Sequence, residues 1–246
     1  WIPPPRPVAP EPWTAQDGGR VWRLTARAGR EIDEGDLVGA PAPYPGLVSL
    51  GTDATGRVLV DLETAHGLIA VTGAHTTAAL AAIAVELATN RWSDGTRVTL
   101  VGFGAELVAV APDRVRYAAT LGEVLAELEE DAATRAWSGD EALTGRIATG
   151  RPAGRPHYLL SALRPRPEEA VRLTALARTG ARTATGYVVA GELPHAAWTW
   201  HITPDGTVRV AALGLTVQAQ LLPPRHYAAI IDLFRTADDV TGERLP

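Results

Sequence analysis

Apolar and polar positions follow two regimes along the chain. Up to about residue 66 the apolar runs are short and separated by turn residues, whereas from Gly67 buried-strand runs alternate with helical periodicity. In the first regime, Trp13-Thr14-Ala15 and Arg20-Val21-Trp22-Arg23-Leu24-Thr25 flank Gln16-Asp17-Gly18-Gly19, which predicts a hairpin. Leu47-Val48-Ser49-Leu50-Gly51 and Arg57-Val58-Leu59-Val60-Asp61-Leu62 predict a second, paired across Thr52 to Gly56. In the second regime, Gly67 to Gly73 reads as a buried strand running into a glycine turn. A helix follows from about Thr77 to Ala88, with Leu80, Ile83, Ala84 and Leu87 on one face. Further buried strands are predicted at Arg97 to Gly102, His157 to Ala162 and Thr185 to Gly191. Thr120 with Glu123 three residues on makes a capping box for a helix whose Val124, Leu125 and Leu128 face inward. Pro167-Glu168-Glu169 opens another that stops near Gly180, with proline and acids at its positive end. Trp198 to Ile202 against Thr207 to Val210 predicts a terminal hairpin across Pro204-Asp205-Gly206, and Pro224 starts a last helix through Ile230, Ile231 and Phe234.

Strands alternating with helices imply an α/β fold with a mainly parallel sheet covered on both faces. Two proline-rich stretches punctuate it: six prolines within Trp1 to Pro12, and Pro41-Ala42-Pro43-Tyr44-Pro45. The expected organisation is a linker over 1–12, a β-rich appendage over 13–46, the α/β domain over 47–237 and a polar tail over 238–246. Residues 65–88 are the most apolar window, but the glycine turn at Gly73 and the strand-to-helix change mark a core element, not a membrane span.

Composition changes this picture in three places. All 23 basic residues are arginine, and cysteine and methionine are absent. Without cysteine there is no disulfide, thiolate nucleophile or cysteine-ligated metal. A chain starting at Trp1 without an initiator methionine reads as a fragment of a longer protein. The net charge of −5 is uneven, since residues 135–182 hold nine arginines against four acids. That basic face could meet nucleic acid or an acidic partner. No aromatics interleave with the arginines as stacking platforms, which favours an ordinary solvated surface.

The missing lysine matters most between Gly67 and Leu80. Gly67-Leu68-Ile69-Ala70-Val71-Thr72-Gly73 followed by Ala74-His75-Thr76-Thr77-Ala78-Ala79-Leu80 has the strand–glycine turn–helix layout of a P-loop NTPase. In a working loop, G-x-x-x-x-G-K-[ST], backbone N–H groups wrap the phosphates, the lysine reaches the β/γ oxygens and the Ser/Thr holds magnesium. Registered on the strand, the two glycines fall on Val71 and Thr76, the lysine on Thr77 and the Ser/Thr on Ala78. Registered on Gly73, the second glycine and lysine fall on Ala78 and Ala79, followed by Leu80. Neither register restores a cation.

The run from Leu47 to Pro194 resembles the FtsK-type branch of P-loop motor ATPases, which includes the ATPase modules of type VII secretion. The likeness rests on a hairpin with an aspartate (Asp61), the strand and loop, and the later order of helices and strands. The resemblance implies a RecA/FtsK-like fold and three catalytic stations, each altered here. The loop (Val71, Gly73, His75, Thr76, Thr77, Ala78) lacks its lysine. The magnesium-binding acids fall on Ser161 and Ala162. The closing Gln and Arg become Glu192 and Leu193 in Ala190-Gly191-Glu192-Leu193-Pro194. Each unpaired phosphate charge in a partly buried cleft costs several kcal/mol. Helix N–H groups return only about 0.3–1 kcal/mol per charge, or ~2 kcal/mol when partly buried. Neither tight Mg-ATP binding, hydrolysis nor any other cofactor is expected.

A second resemblance covers nearly the whole chain. Pro45 to Gly51, Val58 to Glu63, Val85 to Asp94, Val98 to Phe103 and Ala212 to Gln220 look like the central region of actinobacterial membrane proteins that carry a LysM peptidoglycan-binding module and a bacterial transcriptional activator domain. It implies a soluble module on the cytoplasmic side of the membrane, tethered only through segments outside this chain, and assigns it no activity.

The combined expectation is a non-catalytic interaction or scaffold module whose partners are neighbouring domains or another copy. Arg164, Arg166, Arg178, Trp198 and Trp200 are the candidate partner surface, although Trp198 and Trp200 lie on one hairpin face, and such a pair is more often a core face than a partner-binding one. The alternatives are a nucleotide-binding module that uses an arginine brought near Gly73, and a nucleic-acid-binding module, which the overall negative charge disfavours. Other signals are weaker. His66, His75, His157, His195, His201 and His226 lack metal-ligand spacing, so no metal is expected, although His75 at a helix start could meet a small anion. Gly102-Phe103-Gly104 is half a dinucleotide fingerprint. Ser161 lacks a G-x-S-x-G elbow.

Overall fold

The computed structural model describes residues 6–32, 35, 42, 44–65, 67–93, 95–136, 155–179 and 185–242. Expectations that fall on His66, Asp94, Pro41, Pro43, Gly180, Arg146, Arg151 and Arg182 lie outside these residues. The chain divides into two compact units, Trp1–Ala40 and Pro41–Pro246. Pro45 and Gly46 therefore go with the larger unit, where Ser93 Oγ donates to the Pro45 carbonyl at 2.8 Å and Leu62 N–H to that of Gly46 at 3.1 Å.

The smaller unit holds the expected hairpin, β1 (Thr14–Gln16) antiparallel to β2 (Val21–Arg23). A short helix not expected from the sequence, α1 (Ala26–Arg30), follows, its first turn capped by Thr25 Oγ1, which accepts from Ala28 N–H at 3.1 Å.

The larger unit is built on one sheet. In chain order its strands are β3 (Leu47–Asp53), β4 (Gly56–Asp61), β5 (Leu68–Gly73), β6 (Arg97–Val101), β7 (Val115–Ala118), β8 (His157–Ser161), β9 (Thr185–Ala190), β10 (Trp198–Ile202), β11 (Thr207–Val210) and β12 (Leu215–Ala219). In space the order is β4-β3-β12-β11-β10-β5-β9-β8-β6-β7. From β10 to β7 every pairing is parallel, and from β10 to β4 every pairing is antiparallel. The inner strands of the parallel half, β5, β9, β8 and β6, read as near-continuous apolar runs because both of their faces are covered.

Helix α2 (Thr76–Thr89) lies on one face, with Leu80, Ile83 and Leu87 packed into the cluster of Ile69, Val71, Leu100 and Trp200. It is buried from Ala79 through Ala84, which explains its alanine-rich, nearly all-round apolar sequence. Helices α3 (Leu121–Ala136) and α4 (Pro167–Thr179) cover the other face. Leu125, Leu128, Leu173 and Leu176 pack there on Leu68, Leu159, Tyr187 and Val189. Arg172 of α4 grips Glu129 of α3 with two hydrogen bonds, at 2.7 and 2.8 Å.

At the start of α4, Glu169 accepts from Arg166 N–H at 2.8 Å, the capping-box return contact behind a first-position proline. At the start of α3, Glu123 reaches one residue further back than expected, to Ala119 N–H at 3.2 Å, and takes the Thr120 hydroxyl at 2.9 Å. The last helix, α5 (Pro224–Gly242), extends beyond the expected boundary at 237, because Ala237-Asp238-Asp239-Val240-Thr241 contains no proline or glycine to stop it. Strands β7 and β12 are also additions. Among the described residues no helix is long and apolar enough to cross a membrane, and residues 68–88 are strand and helix inside the core.

Candidate functional site

The C-terminal ends of the parallel strands form one rim. In sheets of this type ligands bind outside that rim, where the strand order reverses. Here β5 leads into α2 on one face, and its neighbour β9 is reached from α4 on the other.

The turn from β5 to α2 is short. β5 ends at Gly73 and α2 begins at Thr76, leaving Ala74 and His75 between them. Gly73 adopts φ 86°, and a Cβ there would stand 2.1 Å from the Ile202 carbonyl oxygen of β10. The same carbonyl accepts from Ala74 N–H at 2.8 Å. His75 takes the left-handed conformation at φ 55°, and its Nε2 lies 3.0 Å from the Pro204 carbonyl. A carbonyl only accepts, so this nitrogen carries the ring proton. The ring ties the turn to the β10–β11 hairpin.

A cavity of about 370 Å³ opens beside this turn. Val71, Gly73 and Thr76 line it from the loop, Ala162 from just beyond the end of β8, Glu192 from just beyond the end of β9, and Arg164 from the β8–α4 loop. The topology thus gathers around one space residues from each of the three stretches that the FtsK resemblance marks as stations. Gly191 has φ 110°, and a Cβ there would meet the Arg164 stem at 2.9 Å, so the glycine lets the β8–α4 loop fold over the strand ends. Arg164 is exposed and has no ion pair among the described residues.

The other members of each station point elsewhere. Ser161 is fully buried, its hydroxyl donating to the Leu163 carbonyl at 3.0 Å and accepting from Leu163 N–H at 3.2 Å. That local turn leaves it no part in the cavity and no nucleophilic role. Leu193 is buried in the α3–α4 core cluster. Thr77 and Ala78 are not among the cavity-lining residues.

The candidate partner surface needs correcting. Trp200 is 2% exposed and packs in the α2-side core, and Trp198 is half-buried against the same cluster. Their alternation with exposed Thr199 and His201 faces α2, so the pair is a core face. Arg166 pairs with Glu169 at 2.8 Å and with Glu168 at 3.3 Å. Arg178 is exposed, without an ion pair among the described residues, and lines a separate groove on α4.

His157 is fully buried at the opposite, N-terminal end of the sheet. Its Nε2 meets Thr99 Oγ1 at 2.8 Å and its Nδ1 meets Asp131 at 3.3 Å, in a network that includes Arg97 and Arg116. This satisfies a buried polar ring and builds no ligand site. Among the described residues no group of three or more His, Asp or Glu side chains converges as a metal site. Gly102-Phe103-Gly104 leads into a short 3-10 turn, Ala105–Val108, which removes the dinucleotide reading because no helix N-terminus follows.

No family model matches the chain, and no curated protein matches its sequence. Solved structures do. The ATPγS-bound monomer of the pCW3 conjugation coupling protein TcpA matches at 13% identity and TM-score 0.50, over 81% of this chain and 72% of that one. The cytoplasmic domain of EssC matches at 14% and 0.51, over 72% of this chain and 43% of that one. ATPases 2 and 3 of Thermomonospora curvata EccC, in complex with a signal sequence peptide, match at 11% and 0.51, over 74% of this chain and 42% of that one. The chain thus spans less than half of the EssC and EccC chains. At these identities the likeness defines the fold, a mixed α/β P-loop ATPase fold of the FtsK and EccC type, and leaves activity to the site. No match supports the LysM and transcriptional-activator resemblance.

Proposed function

We propose that this domain is a non-catalytic derivative of the P-loop motor fold that serves as a protein-interaction or scaffold module. The observation that carries the reading is the two-residue turn between Gly73 and Thr76. A phosphate-wrapping loop places four residues between its glycines before the lysine, so that successive N–H groups point inward. Registered on the strand, those four residues are Thr72 to His75, but Thr72 and Gly73 are still paired with β10 as strand and Ala74 N–H is bound by Ile202, so the four cannot arch together around a phosphate. The chemistry at the other stations agrees: Ser161 is engaged in its own turn, Ala162 offers no oxygen to magnesium, and Glu192 adds a carboxylate where phosphate would sit. The sequence resemblance to the LysM and activator proteins supports a place within a membrane-tethered regulatory protein, on its cytoplasmic side.

Calorimetric titration with Mg-ATP, Mg-GTP and their diphosphates tests the reading. No heat and no thermal stabilisation are expected, whereas a specific ligand at 100 times its Kd would add about 2.7 kcal/mol. Micromolar binding would overturn it.

One observation favours a second reading. Arg164 lines the same cavity as Gly73 and Thr76 and, although Glu192 lines it too, has no ion pair among the described residues, so it could replace the lysine for a small anion or nucleotide. That reading requires binding that disappears in Arg164→Ala. The nucleic-acid reading is weaker, because Arg166 and Arg172 of the basic region are paired with glutamates.

A further inference from the structure

The connection from β9 to β10 departs from the rule for parallel strands. These strands lie on either side of β5 and run parallel to it, so the chain must cross the sheet between them. Such crossovers normally take a dozen or more residues and contain a helix. Here seven residues suffice, Gly191 to Ala197, as an irregular strap with no helix. Leu193 and Ala196 of the strap cover the sheet, where a crossover helix would otherwise pack beside α4.

The position of that missing helix is a groove of about 840 Å³. One wall is the outer side of α4, with Ala170, Val171, Ala175 and Arg178, and the other is the strap, with Glu192 and Pro194. The α4 wall runs from Pro167 to Arg178, about 16 Å at helical rise. Its small side chains allow a neighbouring backbone to come close, and Val171 is 69% exposed. The charges are sorted along it. Glu192, just beyond the C-terminal end of β9, lies at the α4 N-terminal end of the groove, and Arg178 lies at the other. A docked helix is favoured with its N-terminus near a carboxylate and its C-terminus near a guanidinium.

We propose that this groove is the docking slot for an amphipathic α-helix of about three turns from a partner protein, lying parallel to α4 with an apolar stripe on Val171 and Ala175 and a carboxylate in its last turn on Arg178. The proposal rests on the interaction-module reading and names its partner chemistry: helix-in-groove recognition, with Arg178, which has no ion pair among the described residues, as the polar anchor.

The test uses three capped 14-residue Ala/Leu/Glu peptides with fluorescein labels, titrated with the whole chain and read by anisotropy. The first carries Leu at i, i+3, i+4, i+7 and a Glu pair in its last turn, the second moves the Glu pair to the first turn, and the third scatters the leucines. The first is expected to bind at least tenfold more tightly than the third and more tightly than the second. Val171→Arg and Ala175→Arg should abolish that binding, and Arg178→Glu should reverse the preference between the first two. These side chains are exposed, so circular dichroism and Tm should stay at wild-type values. Equal affinity for all three peptides, or no effect of the variants, would overturn the proposal. Self-association of the chain that Val171→Arg abolishes would assign the slot to a second copy and overturn it too. Nucleotide titration on the same samples reads the other cavity, so failure of the pseudo-ATPase reading remains distinguishable.

Discussion

The Gly73→Ala substitution tests why a glycine ends β5. The residue sits at φ 86°, opposite Ile202 in the β5–β10 register, and the added Cβ would stand 2.1 Å from the Ile202 oxygen and 3.1 Å from its carbonyl carbon. Both are backbone atoms, so no side chain can rotate away. The left-handed conformation costs about 1–2 kcal/mol for a residue with a Cβ. Separating the strand ends breaks the Ala74–Ile202 hydrogen bond, worth about 0.5–1.5 kcal/mol. A less flexible unfolded chain returns about 0.4–1 kcal/mol. With the steric push added, the net loss is about 3 kcal/mol, which lowers Tm by roughly 6–12 °C in a domain of this size. Gly214→Ala is the control, since Gly214 has φ 63° but nothing within 4 Å of a Cβ. It carries the conformational term alone, and its expected loss is about 0.5–1 kcal/mol. Thermal unfolding followed by circular dichroism reads both. Equal shifts would refute the argument that Gly73 is kept for close approach of β10.

Three more expectations follow from the same geometry. Thr77→Lys restores the lysine without lengthening the turn, so Mg-ATP titration should still give no heat, and micromolar binding would show that two residues suffice. Trp200→Ala empties a fully packed core position and should cost about 3–5 kcal/mol, seen as a Tm drop of roughly 6–20 °C, and an unchanged Tm would return Trp200 to the surface. The Glu129 carboxyl is held below its ordinary range, first by the Arg172 hydrogen bonds. A depressed carboxyl contributes stability that is present above the unfolded pKa of about 4.3 and is lost as pH falls through the folded value. With the partners 38% and 42% exposed, solvent screening holds the pair to about 0.2–1 kcal/mol. Glu129→Gln should therefore lower stability by that amount at pH 7 and match the wild type near pH 2, and a difference that persists at pH 2 would refute the assignment.

Periodicity alone was enough to read most of the elements, because β5, β6, β8 and β9 are buried on both faces and α2 is apolar nearly all round. β7 escaped because Val115-Arg116-Tyr117-Ala118 is a short edge strand whose Tyr117 is 43% exposed. The loop register could not be read from residue types, since Gly73 and Thr76 fit two alignments. Only the structure shows that Thr72 and Gly73 stay in β5, leaving two residues between strand and helix. Alternation put Trp198 and Trp200 on one face but could not say which face α2 would cover. Arg164 and Arg178, which have no ion pair among the described residues, look in sequence like Arg166, which pairs with Glu168 and Glu169. The α4 groove was invisible because it depends on β5 inserting between β9 and β10, a fact of long-range strand order.

That insertion also has a temporal consequence. β5 is made early, yet both strands that flank it come from more than a hundred residues later, at Thr185–Ala190 and Trp198–Ile202. At about 5–20 residues per second on the ribosome, its apolar edges stay open for roughly 6–25 seconds. Throughout that interval the most hydrophobic strand of the chain is an unpaired template, and the exposure closes only when the C-terminal hairpin emerges. Truncation before β10 would therefore produce a species prone to aggregate, not a smaller folded domain.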